Sequence, residues 1–282
     1  KNRTDNGKTM NRDYIFNYEG KNYLILKFSD LTALGNMYRG VWYFRHPDYY
    51  VYAAIENKNP GQGDKYEEKL SKISCGNLSF STSKNDRNVK SIGTYSAKLY
   101  KSDDERDSMR FISFYELEVS DTGVLGKVDN QMKDFGDYVA VVQYNKLCGE
   151  LKNSYSIQNI QVQYLEDNYC GAIGDGCKNR KYSYQKERRL IIKSENFLSK
   201  IRENVDLTAI QKKYFELRKI MGDGCKSNSE RIKAEKEIDK LMLREIEIKK
   251  DFYSEIKTQC GLLFKIIPTE RLFKIKNISE LI

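Results

Sequence analysis

The sequence predicts an α+β fold: an antiparallel β-sheet, sandwich or barrel domain followed by an antiparallel helical hairpin. From Asp13 to Ser194, short tyrosine-rich β runs follow one another across turn residues, without the ten-residue helical patterns that separate parallel strands. After Ser194 the apolar spacing changes to three and four, the helical period. The chain of 282 residues is 39% hydrophobic and 12% aromatic, enough to bury a core and too rich in large apolar side chains for wholesale disorder. The expected organisation is a polar tail over residues 1–12, a β-rich domain over 13–194, and the hairpin with a short C-terminal segment over 195–282.

In chain order, 14–18 and 22–28 meet across Glu19-Gly20-Lys21, a tight hairpin turn. Further strands are expected at 41–45, 49–55, 76–82, 91–100 and 109–119. After the Asp121-Thr122-Gly123 turn, more are expected at 138–144, 157–165 and 188–192. Phe111, Ser113, Tyr115, Leu117 and Val119 alternate with Arg110, Glu116 and Glu118, the pattern of a strand with one face in water. Residues 138–142 are apolar on both faces, which places that strand centrally.

In the last third, Asp206 is the expected N-cap of a helix whose stripe is Leu207, Ile210, Tyr214, Leu217 and Met221. Gly222-Asp223-Gly224-Cys225 is the expected hairpin tip, and Ser227 with Glu230 a capping box. Ile238, Met242, Ile246, Tyr253, Ile256 and Cys260 mark a second helix that Gly261 ends. The apolar run at 262–267 precedes a short helix opened by Pro268.

Six cysteines stand at 75, 148, 170, 177, 225 and 260, each beside a glycine and none in a two-residue metal or redox spacing. Turn surroundings and an even count suggest an extracytoplasmic protein with up to three disulfides among Cys75, Cys148, Cys170, Cys177, Cys225 and Cys260, of which Cys170–Cys177 is the first candidate. The chain opens on Lys1 and a polar stretch, so a preceding segment is expected. No apolar run approaches the ~20 residues that span a bilayer, so an integral membrane protein is not expected.

His46 is the single histidine, which excludes multi-histidine metal sites and any mechanism needing two imidazoles. The tripeptide His46-Pro47-Asp48 resembles the signature loop of the J-domain co-chaperones. The preceding 37–44 carries a glycine and strand-favouring residues where that family has a basic amphipathic helix, so His46 is read as a turn residue. Asp137 with 139–146 is similar to the acid-strand-lysine layout of metal-dependent nucleases, but Gln143 and Tyr144 stand where a second acid is needed. Neither a metal nor a cofactor is expected.

The net charge is +9, and residues 181–282 carry 24 Lys+Arg against 16 Asp+Glu, so nearly all of the excess lies there. Arg180, Lys181, Tyr182, Tyr184, Lys186, Arg188 and Arg189 interleave cations with aromatics, as single-strand nucleic-acid binders do and as exposed edge strands do; the edge strand is the reading adopted. Together these features predict a non-enzymatic extracytoplasmic binding or structural protein contacting a protein partner. The alternatives are an intracellular nucleic-acid binder using the basic last third and a carboxylate-dependent hydrolase.

Overall fold

The computed structural model describes residues 12–56, 69–75, 79–80, 90–91, 95–100, 103–166, 169, 171–172, 175–222 and 228–281. The tail over 1–11, Cys170, Cys225 and Ser227 lie outside the described residues, as do parts of the strands expected at 76–82 and 91–100.

The fold is α+β, built on one large antiparallel sheet. Its nine strands are β1 (Ile15–Tyr18), β2 (Lys21–Ser29), β3 (Val41–Arg45), β4 (Met109–Val119), β5 (Tyr138–Val142), β6 (Ser156–Gln161), β7 (Glu187–Lys193), β8 (Tyr253–Lys257) and β9 (Leu263–Pro268). Spatial order is β6-β7-β4-β2-β5-β9; β1 pairs with β2, and β3 with both β4 and β8. Among the described residues the sheet does not close into a barrel. Smaller pairings stand apart: Lys69–Cys75 with Tyr95–Tyr100 and Gly171–Ala172, and a parallel pair, Gln163–Leu165 with Cys177–Asn179.

The β1–β2 hairpin forms as the sequence predicts. Glu19 and Gly20 both take positive φ, the turn whose twist matches two antiparallel strands. Alternation then sorts the core onto two faces. Leu24, Leu26 and Phe28 join Tyr115, Leu117, Val139 and Val141 on one, beneath Met132, Leu272 and Ile278. Ile25 joins Ile112, Phe114, Ala140 and Val142 on the other, under helices α1 (Leu31–Tyr38) and α4 (Tyr144–Lys152). Each such side chain contributes about 1.5–3 kcal/mol by leaving water.

The covering of both faces corrects the expectation that β4 has a solvent face: Arg110 and Glu116 are buried, and of the polar face only Glu118 is exposed. Residues 49–55 are also not a strand. Pro47 and Asp48 open helix α2 (Pro47–Glu56), because proline at the first helical position needs no N–H partner and an acid in the first turn suits the helix dipole. The strand expected at 138–144 stops at Val142, and Tyr144, Leu147 and Leu151 turn one buried face of α4 inward.

Helices α3 (Asp103–Asp107) and α5 (Glu195–Arg202) flank the start of β4, and the long α6 (Val205–Gly222) and α7 (Asn228–Lys249) follow. Asn204 rather than Asp206 caps α6, its side chain accepting from Leu207 N–H at 3.0 Å. Lys213 on α6 and Glu237 on α7 form an ion pair at 2.6 Å. Helix α7 ends at Lys249, eleven residues before the expected stop at Cys260. Tyr253 and Ile256 lie in β8 because the free edge of β3 pairs with that segment. With β9, which zips onto β5, the chain after Ser194 completes the main sheet instead of standing beside it; a short helix, α8 (Thr269–Leu272), follows Pro268 as expected.

Gly40 makes the α1–β3 turn at φ +87°, and a Cβ there would run into the Thr258 carbonyl oxygen just after β8. That close approach fixes how β8 meets β3.

Candidate functional site

The sheet contains a gap, and it follows from the registers. Strand β2 pairs with β4 up to Leu26↔Tyr115, then diverges to pair with β5 from Leu26↔Val141 onward. Strand β3 touches β4 only at Arg45↔Phe111. Over Ile112, Ser113 and Phe114, β4 therefore has no strand on that side among the described residues. A cleft of about 300 Å³ opens there.

Unpaired strand carbonyls need donors. Lys27, the first β2 residue past the parting, donates from Nζ to the Ser113 carbonyl oxygen at 2.8 Å and lies 5.8 Å from the Phe114 ring centroid. The Tyr50 hydroxyl of α2 donates to the Phe111 carbonyl oxygen at 3.4 Å. Side chains thus seal the edge that β2 and β3 leave open. Burial brings the Lys27 ammonium down to about 8, although the Glu187 charge pulls the other way.

Arg45 and Glu187 line the same cleft, with Asp30 and Lys178 beside them. Arg45 lays its guanidinium over Tyr49 at 4.5 Å and Tyr253 at 5.1 Å from the ring centroids, and among the described residues it makes no hydrogen bond or ion pair. Glu187, at the start of β7, is buried and fully engaged. Its Oε2 meets Lys178 Nζ at 2.7 Å, its Oε1 meets Arg189 Nε at 2.7 Å, and Oε1 accepts from the Ser113 hydroxyl at 2.5 Å. Burial alone would raise this carboxyl, but Arg189 and Lys178 outweigh it and hold it far below the usual carboxylate range. Phe28, Met37, Ile112, Phe114 and Phe135 supply apolar wall.

A second buried charge cluster joins α2, α3 and α7 without opening to a cavity. His46, the single residue between β3 and α2, is completely buried. Its Nδ1 accepts from the Asp48 backbone N–H at 3.1 Å, so the proton sits on Nε2, which donates to Asp107 Oδ1 at 3.1 Å. Burial lowers the imidazole pKa against the pull of Asp48 and Asp107. Lys249, at the last turn of α7, places its ammonium 2.8 Å from Asp107 Oδ1 and 2.6 Å from Glu245. Arg106 pairs with the buried Asp48. Burial disfavours the Asp107 carboxylate, but the His46 hydrogen bond and the Lys249 charge bring its pKa below the ordinary value.

The basic-aromatic stretch is divided by the fold. Arg180–Gln185 is a 3-10 helix in which Arg180 and Lys181 are exposed, Tyr182 is buried and Tyr184 half-buried; Lys186 is exposed and donates to the Lys127 carbonyl oxygen at 3.1 Å. Arg188 and Arg189 are buried, because β7 is an interior strand between β6 and β4, not an edge. Arg188 pairs with Glu116, donates to Asn159 Oδ1 at 2.7 Å and lies between the rings of Phe16 and Tyr18. Arg189 serves Glu187. Charge complementarity inside the sheet, invisible as residue spacing, overturns the edge reading.

Among the cysteines, Cys148, Cys177 and Cys260 are free thiols, half-buried, buried and exposed respectively. Cys75 closes a strand, and its side chain, like Cys170 and Cys225, is not among the described features. Sequence reasoning missed Lys27, Arg45 and Glu187. Lys27 did leave a signal: alternation places it on the same face as Tyr23 and Ile25, where a lysine is out of character. Arg45 and Glu187 left none, since their environment comes from segments far away in the chain. No family model, curated protein or solved structure matches this chain.

Proposed function

We propose that this is a non-enzymatic, extracytoplasmic binding protein and that the cleft along β4 is its recognition site. One observation carries the reading: the cleft combines apolar wall with two cations, Lys27 and Arg45, that have no carboxylate bonded to them among the described residues, while the Glu187 carboxylate is already neutralised by Lys178 and Arg189. A general acid needs a raised pKa, and Glu187 has the opposite, so the chemistry favours holding a ligand over hydrolysing one. A nucleic-acid surface needs a row of exposed cations, and the burial of Arg188 and Arg189 removes two from the row in the sequence. In this reading α6 and α7 form an antiparallel hairpin supported by the Lys213–Glu237 pair, and their exposed faces are available to a partner protein. No helix of the described residues is long and apolar enough to cross a membrane.

The test blocks the cleft. Ala33 lies on its wall, so Ala33→Trp fills it from α1. Thermal unfolding is measured with a panel of organic acids, amines, sugars and neutral aromatics. At least one compound is expected to raise the unfolding temperature of the parent and leave Ala33→Trp unmoved. A panel without effect, or stabilisation that persists in the blocked variant, overturns the assignment.

A further inference from the structure

We propose that the cleft takes a single carboxylate carried on an aromatic group. The inference rests on reading the cleft as a binding site and goes on to name the chemistry of its occupant.

Among the lining residues, Lys27, Arg45 and Lys178 are cationic; Asp30 and Glu187 are anionic. Lys178 and Glu187 satisfy each other. Asp30 is occupied at the N-terminus of α1, where it accepts from Ala33 N–H at 2.7 Å. Lys27 and Arg45 remain. An ammonium has three donors, and Lys27 uses one; a guanidinium has five, and Arg45 uses none among the described residues. Arg45 is also held flat by Tyr49 and Tyr253, the preorganised state in which a planar fork meets a carboxylate with both oxygens.

Geometry selects the anion. The planar guanidinium of Arg45 matches the two oxygens of a carboxylate, and Lys27 offers further donors across the same cleft. The walls select the rest of the molecule. Phe28, Phe114, Phe135 and Tyr50 line a space of about 300 Å³, near the lower end of small-molecule sites, and their ring faces suit an aromatic group. Such a carboxylate can belong to a free acid or to the C-terminal residue of another chain.

Calorimetry with N-acetyl-L-phenylalanine, its amide, and a ten-residue peptide ending in phenylalanine with a free or an amidated terminus separates these sources. The free acid is expected to bind saturably and the amide at least tenfold more weakly. Arg45→Gln and Lys27→Met are each expected to weaken the acid at least tenfold; Arg45 is partly exposed and makes no side-chain hydrogen bond or ion pair among the described residues, so Arg45→Gln keeps the test informative if Lys27→Met unfolds. A peptide that binds more tightly than the free acid assigns the source to a chain terminus, and equal or weaker binding assigns it to a free acid. Equal affinity for acid and amide, or unchanged affinity in Arg45→Gln, overturns the carboxylate assignment while Ala33→Trp still reports a working cleft. If neither these probes nor inorganic phosphate and phenylethylamine bind in a way that Ala33→Trp abolishes, both the ligand class and the site fall.

Discussion

Replacing Lys249 by methionine isolates what the buried cluster does. The two side chains are similar in length, so the perturbation is mainly electrostatic. In the parent the ammonium is fully buried, 2.8 Å from Asp107 and 2.6 Å from Glu245. Removing one partner of a buried pair costs about 3–5 kcal/mol, because the other is left charged and dry. Glu245 is partly exposed and recovers water, and Asp107 keeps the His46 Nε2–H at 3.1 Å, so the expected loss is about 3 kcal/mol, the lower end of that range. Urea unfolding followed by the fluorescence of Trp42, the only tryptophan and a buried one, reads it directly. With an m-value of about 3 kcal/mol/M the midpoint falls by about 1 M at pH 7.

The pH dependence supplies the second arm. In the parent the folded His46 pKa lies below its unfolded value of 6.5, so the unfolded state binds the extra proton and acidification below 6.5 destabilises the protein. In Lys249→Met the Asp107 charge has lost its cation, which favours a second proton on His46 even though that proton takes Nδ1 from the Asp48 N–H. The deficit of the variant should therefore shrink between pH 7 and pH 5.5. A loss under about 1 kcal/mol at pH 7, or a deficit that does not shrink, refutes the view that Lys249 neutralises a buried anion.

Glu187→Gln leaves Lys178 and Arg189 facing an uncharged amide and is expected to cost about 3–5 kcal/mol at pH 7. Because the folded carboxyl lies far below its unfolded value of 4.5, its contribution is complete above that pH and is lost progressively as pH falls from there toward the folded value, so the gap between parent and variant should narrow by about 1.4 kcal/mol at pH 3.5 without closing; a constant gap would contradict the assignment. Of the free thiols Cys148, Cys177 and Cys260, iodoacetamide on the native protein at pH 8 should label exposed Cys260 first, and buried Cys177 and half-buried Cys148 slowly, burial having pushed the Cys148 thiol up to about 11; mass spectrometry that finds Cys148 labelled before Cys260 would contradict this placement. After denaturation without reductant, six alkylated thiols would remove the extracytoplasmic reading, and a native bridge between two of Cys75, Cys170 and Cys225 would support it.

Local chemistry determined what depends on a few neighbouring residues. The β1–β2 turn, the full extent of β4, the central place of β5 and the change to helical spacing after Ser194 were legible because side-chain period and turn residues act within one element. Helices α2 and α4 were less legible: Tyr49, Tyr50 and Val51 favour strands by propensity, and it is the Pro47 start and the packing around it that win. What only the tertiary structure decided depends on segments brought together from far apart. The free edge of β3 pulled 253–257 out of helical spacing and into the sheet. Arg188 and Arg189 read as surface cations until Glu116 and Glu187 met them in the interior. The cleft itself exists because β2 leaves β4 at Leu26 while β3 reaches it only at Phe111, a mismatch of pairing between three strands that no single stretch of sequence contains.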